Sequence, residues 1–260
     1  MAKGRAMKKS LKLPGNGFEI FYYEMGAGEP LVYVHGIGEV PESPPFLQEL
    51  SQKYRVIVPL YLSPSTNQAI AAVSSVLDWV LFCNDFLDAL KIQECTLLGH
   101  SLGGMLAAEL AAVTPERVKK LILVNSLGLW LGDFPVVDFF SIPTHLLDNF
   151  LWHSTHTEAH AAYRQLIGVQ ELDFSLRQSD LLGQAGKFLW PLPDRGLRSR
   201  LYRVKAKTVV IWGHEDRLVP FRYATEFAKL IAAAELKIIK NCGHLPMFEQ
   251  RELFVSGVIS

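Results

Sequence analysis

The feature that most constrains the fold of this chain is an alternation of short apolar runs with longer amphipathic segments. The runs at 121–124 and 209–212 are apolar at every position, which indicates strands buried on both faces, as in the centre of a parallel sheet. The predicted strands are 18–23, 31–34, 55–60, 95–98, 120–124, 208–212 and 236–239. The predicted helices between them are 68–90, 101–113 and 219–233. Alternating strands and helices predict an α/β fold with a mostly parallel central sheet and helices on both faces.

The N-terminal region breaks this alternation. Short runs at 11–13 and 18–23 flank the turn residues Pro14-Gly15-Asn16-Gly17, which predicts an antiparallel hairpin at the start of the sheet. Residues 1–10 are rich in Lys and Arg, and we expect a flexible, solvated tail there. No apolar segment follows the tail, as a secretory signal would require.

Between residues 127 and 195 the alternation stops and aromatic residues accumulate. They are Trp130, Phe134, Phe139, Phe140, Phe150, Trp152, Tyr163, Phe174, Phe188 and Trp190. The segment contains no strand-like run, so we predict a helical insertion; additional helices of the core are the alternative. The core would then comprise 11–126 and 196–260.

The charge balance and the cysteines limit the partners of this chain. It has 26 basic and 26 acidic residues, whereas a nucleic-acid-binding surface needs a clustered excess of Lys and Arg. No apolar stretch reaches the roughly 18 residues that cross a bilayer. Cys83, Cys95 and Cys242 lack CxxC spacing, so neither a disulfide framework nor a zinc site is predicted. We expect a cytoplasmic protein with a small-molecule partner and without nucleic-acid or membrane partners; its oligomeric state stays open.

A Gly-x-Ser-x-Gly motif marks the candidate nucleophile. Gly99-His100-Ser101-Leu102-Gly103-Gly104 follows the strand at 95–98 and opens a helix of small residues. In this strand–turn–helix context the serine is strained and exposed at the top of the sheet, and the glycines remove side chains that would collide. The start of the helix adds N–H groups and a positive dipole end, which suit a developing anion. Ser101 is the predicted nucleophile.

A serine hydroxyl needs a base to become a nucleophile. Of the eight histidines, His244 is the best placed, because it follows the late strand at 236–239. Gly243 and Pro246 bracket it as loop residues. His244 is therefore the predicted base.

The base needs an acid that fixes its tautomer. Asp216 follows the strand at 208–212, at the carboxyl end of the sheet where ligands gather. Glu215 is the rival acid, and Asn125, which follows the strand at 120–124, cannot supply a charge. The resulting order of serine, acid and histidine is the one expected for a nucleophile of this type.

Two backbone N–H groups are the predicted donors to an oxyanion. One belongs to Leu102, directly after the nucleophile, and the other to Ile37 in the loop His35-Gly36-Ile37-Gly38. Glycine on each side of Ile37 lets this backbone approach a substrate closely. His35 is expected to brace the loop by hydrogen bonds and not to act as a base.

In these motifs the chain resembles the α/β-hydrolase superfamily over nearly its whole length. The matching motifs, in family order, are His35-Gly36, Gly99-His100-Ser101-Leu102-Gly103-Gly104, Gly213-His214-Glu215-Asp216 and Gly243-His244. Relatives that dehalogenate or open epoxides carry Asp in place of Ser101, so the resemblance implies the serine branch. It also implies that 127–195 is a cap over the serine and that its aromatic residues line an apolar pocket. The predicted pocket residues are Gly36, Trp130, Phe134, Phe139 and Leu245.

Hydrolysis of a carboxylic ester through an acyl-serine intermediate is the main functional prediction. Ser101 would attack, His244 would take and return the proton, and Asp216 would stabilise the imidazolium. The alternative reaction is hydrolysis of a C–C bond in a diketone-like ring-fission product, or another hydrolysis, by the same three residues. A basic pocket residue for the substrate's carboxylate would favour it, and Arg164 and Arg177 are available in the insertion. A non-catalytic ligand receptor of the same fold is the alternative of another class.

No cofactor is required by this chemistry, and no metal site is predicted. His153, His156 and His160 fall at positions i, i+3 and i+7 and could share a helix face, as metal ligands do. No HExxH pattern accompanies them. An exposed polar helix is the simpler interpretation.

Overall fold

The computed structural model describes residues 6–14, 17–38, 40–62, 73–168, 171–192 and 194–260. The strands of this part of the chain are β1 Met7–Lys12, β2 Glu19–Met25, β3 Glu29–Val34, β4 Tyr54–Pro59, β5 Cys95–His100, β6 Val118–Val124, β7 Lys207–Gly213 and β8 Glu235–Ile239. Its helices are α1 Pro45–Leu50, α2 Val76–Ala89, α3 Leu102–Val113, α4 Asp148–Leu151, α5 Glu158–Ile167, α6 Glu171–Leu189, α7 Arg222–Leu230, α8 Pro246–Glu249 and α9 Arg251–Ile259.

The strands form one sheet in the order β1-β2-β4-β3-β5-β6-β7-β8. The pairs β1–β2 and β2–β4 are antiparallel, and the remaining pairs are parallel. From β3 the chain continues to β4 on one side and then to β5 on the other, so the strand order reverses there. Ligands bind at such a reversal in open α/β sheets, outside the carboxyl ends of the strands. The sheet confirms the predicted α/β fold.

Helices cover both faces of the sheet because its central strands are apolar on both faces. In β6, Leu121 and Leu123 join the core layer that contains α2 and α3. The alternate residues, Ile122 and Val124, join the layer that contains α1 and α9. Successive side chains of a strand point to opposite faces, so an uninterrupted apolar run supplies both layers.

The N-terminal hairpin is longer than predicted. β1 pairs with β2 from Met7 opposite Glu24 to Lys12 opposite Glu19. The tail predicted for residues 1–10 is therefore wrong from Met7 onward, and residues 1–5 lie outside the described residues. Lysines are common on edge strands, where they discourage pairing with other chains. An edge strand rich in lysine therefore has the same basic composition as a solvated tail.

Two predicted helices are shorter in the structure. The helix predicted at 68–90 begins at Val76, because the Ser75 side chain caps it by accepting a hydrogen bond from the N–H of Asp78; residues 68–72 lie outside the described part of the chain. The helix predicted at 219–233 spans Arg222–Leu230. For α2, capping chemistry, more than apolar periodicity, determines where the helix begins.

The segment at 127–195 connects two strands that pair directly, β6 and β7. Its described residues contain α4, α5 and α6 and no strand. Within it Trp152 and Phe188 are fully buried, whereas Trp190 is 57% exposed. No helix in the described part of the chain combines the length and apolar character that a membrane crossing requires.

Candidate active site

Ser101 occupies the sharp turn between β5 and α3. Its φ of 55° and ψ of −121° lie where residues with a side chain are strained. A Cβ atom at Gly103 would lie 2.0 Å from the carbonyl oxygen of Val34, and one at Gly99 would lie 2.5 Å from that of Gly103. The turn therefore excludes side chains at both glycines, as the sequence predicted.

His244 and Asp216 meet beyond the carboxyl ends of β8 and β7. The His244 Nδ1–H donates to Asp216 Oδ2 at 2.7 Å, and both side chains are buried. The other ring nitrogen, Nε2, has no hydrogen-bond partner among the described residues. His244 and Ser101 line the same cavity, so Nε2 is the nitrogen available to take a proton there.

Three further donors hold the Asp216 carboxylate. Its Oδ1 accepts hydrogen bonds from the N–H groups of Leu218, at 2.8 Å, and Val219, at 2.9 Å. Its Oδ2 accepts from Asn125 Nδ2 at 2.6 Å. The sequence indicates only that Asn125 carries no charge, whereas in the structure its side chain holds the Asp216 carboxylate.

The rival acid Glu215 bonds elsewhere. Its Oε2 accepts from the N–H of Cys242 at 3.0 Å, and its Oε1 accepts from His214 Nδ1 at 3.0 Å. Glu215 thus anchors the start of the loop that carries His244. Of the two carboxylates, Asp216 is the one in contact with the His244 ring.

The loop after β3 lies directly against the serine. A Cβ atom at Gly36 would lie 2.8 Å from His100 Nδ1 and 3.0 Å from the Cβ atom of Ser101. Ile37, in the same loop, lines the cavity. Leu102 is the first residue of α3, and the first N–H groups of a helix have no acceptor within it. Both predicted oxyanion donors therefore flank Ser101.

Two buried imidazoles form hydrogen bonds to these loops. The ring of His35 donates to the carbonyl of Gly36 at 2.8 Å, and that of His100 donates through Nε2 to the carbonyl of His244 at 2.8 Å. Burial lowers the pKa of His35 to about 4. Burial, reinforced by the adjacent His244, lowers the pKa of His100 well below its usual range. Both rings are therefore neutral near neutral pH, and His35 braces its loop as predicted.

A cavity opens onto Ser101 and His244. Of the predicted pocket residues, Gly36, Phe139 and Leu245 line it. Trp130 and Phe134 do not, and the prediction for them is wrong. Their side chains turn towards solvent, with exposures of 37% and 42%, and the guanidinium of Arg222 stacks over Phe134 at 5.0 Å.

The insertion supplies several walls of this cavity. They include Leu147, Leu151, Tyr163, Gln178 and Leu182. Tyr163 and Gln178 are pocket residues that the sequence does not predict, although Tyr163 is one of the aromatic residues of the insertion. Only the packing of α5 and α6 over the sheet decides which of their faces meets the cavity.

The basic and metal-ligating candidates of the insertion lie outside the cavity wall. Neither Arg164 nor Arg177 lines it, and the Arg164 guanidinium stacks over Phe174 at 4.3 Å. His160 bonds to Asp148 at 2.8 Å, and α5 begins only at Glu158, so the three histidines do not share a helix face. In the described residues no cluster of His, Cys, Asp or Glu is arranged to hold a metal ion.

Comparison with known proteins agrees with this fold. Residues 29–250 match the model of the α/β-hydrolase fold family, and the chain belongs to that family. It is 29% identical to a 2-hydroxymuconate semialdehyde hydrolase of Pseudomonas sp. (strain CF600), over 93% of this chain and 89% of that protein. It is 30% identical to a hydrolase of the same name from Pseudomonas putida, over 92% and 88%. An esterase from Exiguobacterium antarcticum has the same fold, with a TM-score of 0.77 and 22% identity over 97% of this chain and 98% of that one.

Proposed function

We propose that this chain hydrolyses a C–C bond in a diketone-like ring-fission product, with Ser101 as nucleophile, His244 as base and Asp216 as the acid that orients the base. The observation that carries the proposal is the similarity to 2-hydroxymuconate semialdehyde hydrolases over more than nine-tenths of the chain. The contact between Asp216 and His244 beside the Ser101 cavity supports it. The ester hydrolysis favoured by the sequence alone becomes the second candidate.

In the first half of the reaction the serine is acylated. The Ser101 oxygen attacks the ketone carbon while His244 Nε2 takes the hydroxyl proton, and the N–H groups of Ile37 and Leu102 bind the resulting oxyanion. The C–C bond then breaks, and its electron pair leaves as an enolate. The electron pair can leave as an enolate because a second carbonyl is conjugated with the leaving carbon. For this reason the substrate must be a diketone. The His244 imidazolium returns the proton to the leaving carbon.

In the second half a water molecule releases the acyl group. His244 takes a proton from the water, whose oxygen attacks the acyl carbon. The tetrahedral intermediate collapses, Ser101 recovers its proton from His244, and a carboxylic acid departs. The insertion at 127–195 is the proposed cap, since six of its side chains noted above line the same cavity as the serine. A cap of this kind excludes bulk water and fixes the substrate.

Ester hydrolysis by the same residues is the second candidate. The observation that favours it is that the described cavity wall contains no Lys or Arg. The carboxylate of a ring-fission product such as 2-hydroxymuconate semialdehyde would have no cationic partner there. In an ester the alcohol oxygen, instead of carbon, carries away the electron pair, and the acyl-serine is the same.

The test compares initial rates on a 6-oxo-2,4-dienoate, followed by loss of its absorbance, with rates on short p-nitrophenyl esters. Ser101→Ala is expected to lower both rates by at least about a thousandfold, whereas Ser141→Ala, at an exposed serine, leaves them unchanged. Faster turnover of the dienoate supports C–C hydrolysis, and turnover of the esters alone supports the second candidate. Retention of either rate in Ser101→Ala contradicts the serine mechanism.

A further inference from the structure

Gln178 is a polar side chain of the cavity wall that has no part in the chemistry above. It lies on α6 one helical turn before Leu182, and both side chains line the cavity. Gln178 is only 6% exposed, and its Oε1 has no hydrogen-bond partner within the described chain. A buried polar atom without a partner is costly, and such atoms are rare enough in folded proteins to call for an explanation. A ligand that supplies the missing bond is one.

None of the described residues that line the cavity around Gln178 is a Lys, Arg, Asp or Glu. The internal segments outside the described residues, at 15–16, 39, 63–72, 169–170 and 193, contain no Lys or Arg in the sequence. The imidazoles of His35 and His100 line the cavity and are held neutral, because burial lowers the pKa of each. A carboxylate that enters this cavity would lose its hydration without gaining a cationic partner.

From this geometry we infer that the cavity selects substrates whose body is uncharged, and that Gln178 is a specificity-determining residue that binds an uncharged, hydrogen-bond-donating group such as an enol, an alcohol or a carboxamide. A carboxylate cannot supply the proton that Oε1 accepts, whereas each of these groups can. The inference rests on the proposed function for the location of the substrate. It separates this chain from relatives named for 2-hydroxymuconate semialdehyde, a compound that bears a carboxylate.

The test uses two inert ligands of equal length, 6-phenylhexanamide and 6-phenylhexanoate, titrated calorimetrically into the intact protein at pH 7.5. The amide is expected to bind at least about tenfold more tightly than the carboxylate. The carboxylate has no hydrogen-bond donor, so it leaves Oε1 of Gln178 without a partner. Equal or tighter binding of the carboxylate, or no detectable binding of the amide at millimolar concentration, overturns the inference.

Three variants assign the preference to Gln178. Gln178→Leu is expected to weaken amide binding by about tenfold and to leave carboxylate binding nearly unchanged. Gln178→Arg places a cation at the same point and is expected to reverse the preference. Gln184→Leu is the matched control, because Gln184 lies on the same helix but does not line the cavity. An unchanged amide affinity in a folded Gln178→Leu variant contradicts the assignment.

Labelling with a fluorophosphonate separates this inference from the proposed function, because it reports on Ser101 and not on the ligand body. Labelling and dienoate turnover together with tighter carboxylate binding would refute the inference and keep the function. Because the inference itself disfavours the carboxylate of the dienoate, turnover is also measured on the carboxamide of the dienoate. Amide preference in a protein that neither labels nor turns over the dienoate or its carboxamide would keep the inference and refute the function.

Discussion

Asn125 contacts two segments of the site from the end of β6. Its Nδ2 donates to Asp216 at 2.6 Å and to the carbonyl of Gly243 at 3.3 Å, and its Oδ1 accepts from the N–H of Gly213 at 3.3 Å. It is fully buried. One amide therefore fixes the Asp216 carboxylate relative to the loop that carries His244.

We predict that Asn125→Ala lowers kcat by about 10- to 100-fold, the usual cost of losing a group that orients a functional side chain. KM is expected to change little, because Asn125 does not line the cavity. Steady-state kinetics on the better of the two substrate classes measures both constants. Asn84→Ala is the control, since among the described residues the Asn84 side chain bonds within α2, to the carbonyl of Val80. A folded Asn125→Ala variant with wild-type kcat would contradict this role.

At the scale of elements, α3 packs unusually close to β3. The contact between Gly103 and the carbonyl oxygen of Val34 leaves no room for a methyl group. This approach lets the helix begin at the residue after Ser101 and directs its first N–H groups at the candidate site. The glycines of the motif thus serve helix placement as well as the turn.

Gly103→Ala is predicted to destabilise the fold by about 3 kcal/mol or more, because the new methyl group forces α3 away from β3. A thermal melt would show the midpoint falling by several degrees. Gly183→Ala in α6 is the matched control, since a Cβ atom there meets nothing within 4 Å, and the better helix propensity of alanine is worth up to about 1 kcal/mol. Equal melting temperatures for the two variants would refute the packing argument.

The helix α8 links the His244 loop to the insertion through Glu249. Its Oε1 accepts from the N–H of Gly243 at 2.8 Å, and its Oε2 accepts from the N–H of His153 at 2.7 Å. The N–H of His244 in turn donates to the carbonyl of Leu151 at 2.7 Å. Burial raises the pKa of the Glu249 carboxyl, and the backbone donors oppose that shift.

Glu249→Ala is expected to cost about 2–3 kcal/mol of stability, because it leaves partly buried backbone donors without an acceptor. It is also expected to lower kcat, since the loop that holds His244 loses an anchor. Urea unfolding and steady-state kinetics check the two effects. Glu252→Ala, at an exposed position of α9, should change neither. A loss of stability without any change in kcat would show that the anchor does not affect the catalytic geometry.

At the scale of the whole molecule, the buried imidazoles make the folded state sensitive to acid. His35 has a pKa of about 4 in the folded chain, against about 6.5 for an unperturbed histidine. Between these values the unfolded chain binds a proton that the folded chain does not. The stability that depends on a neutral His35 is therefore fully present above about pH 6.5 and is lost as the pH falls towards 4.

We predict that His35→Gln flattens this dependence, removing up to about 3 kcal/mol of the stability difference between pH 7 and pH 4. Urea unfolding at pH 7, 5.5 and 4 measures it. His156→Gln, at an exposed histidine, is expected to keep the slope of the wild type. An identical slope in His35→Gln would mean that other groups govern the acid response.

The sequence alone determined the features that depend on local patterns. An apolar run such as 209–212 indicates that both faces of a strand are buried, and the glycines around Ser101 indicate a turn that tolerates no side chain. The positions of Asp216 and His244 followed from the strands that precede them, because parallel strands bring their carboxyl ends to one edge. These inferences need only neighbours along the chain and the general geometry of a sheet.

The tertiary structure decided what depends on the direction of side chains between distant elements. Trp130 and Phe134 are as aromatic as Phe139 in the sequence, yet only Phe139 faces the cavity. Asn125 became a positioning residue because β6 and β7 are neighbours and bring its amide to Asp216. Gln178 reached the cavity through the packing of α6 over the sheet. Periodicity identifies the faces of a helix, but only non-local packing determines which of them meets the site.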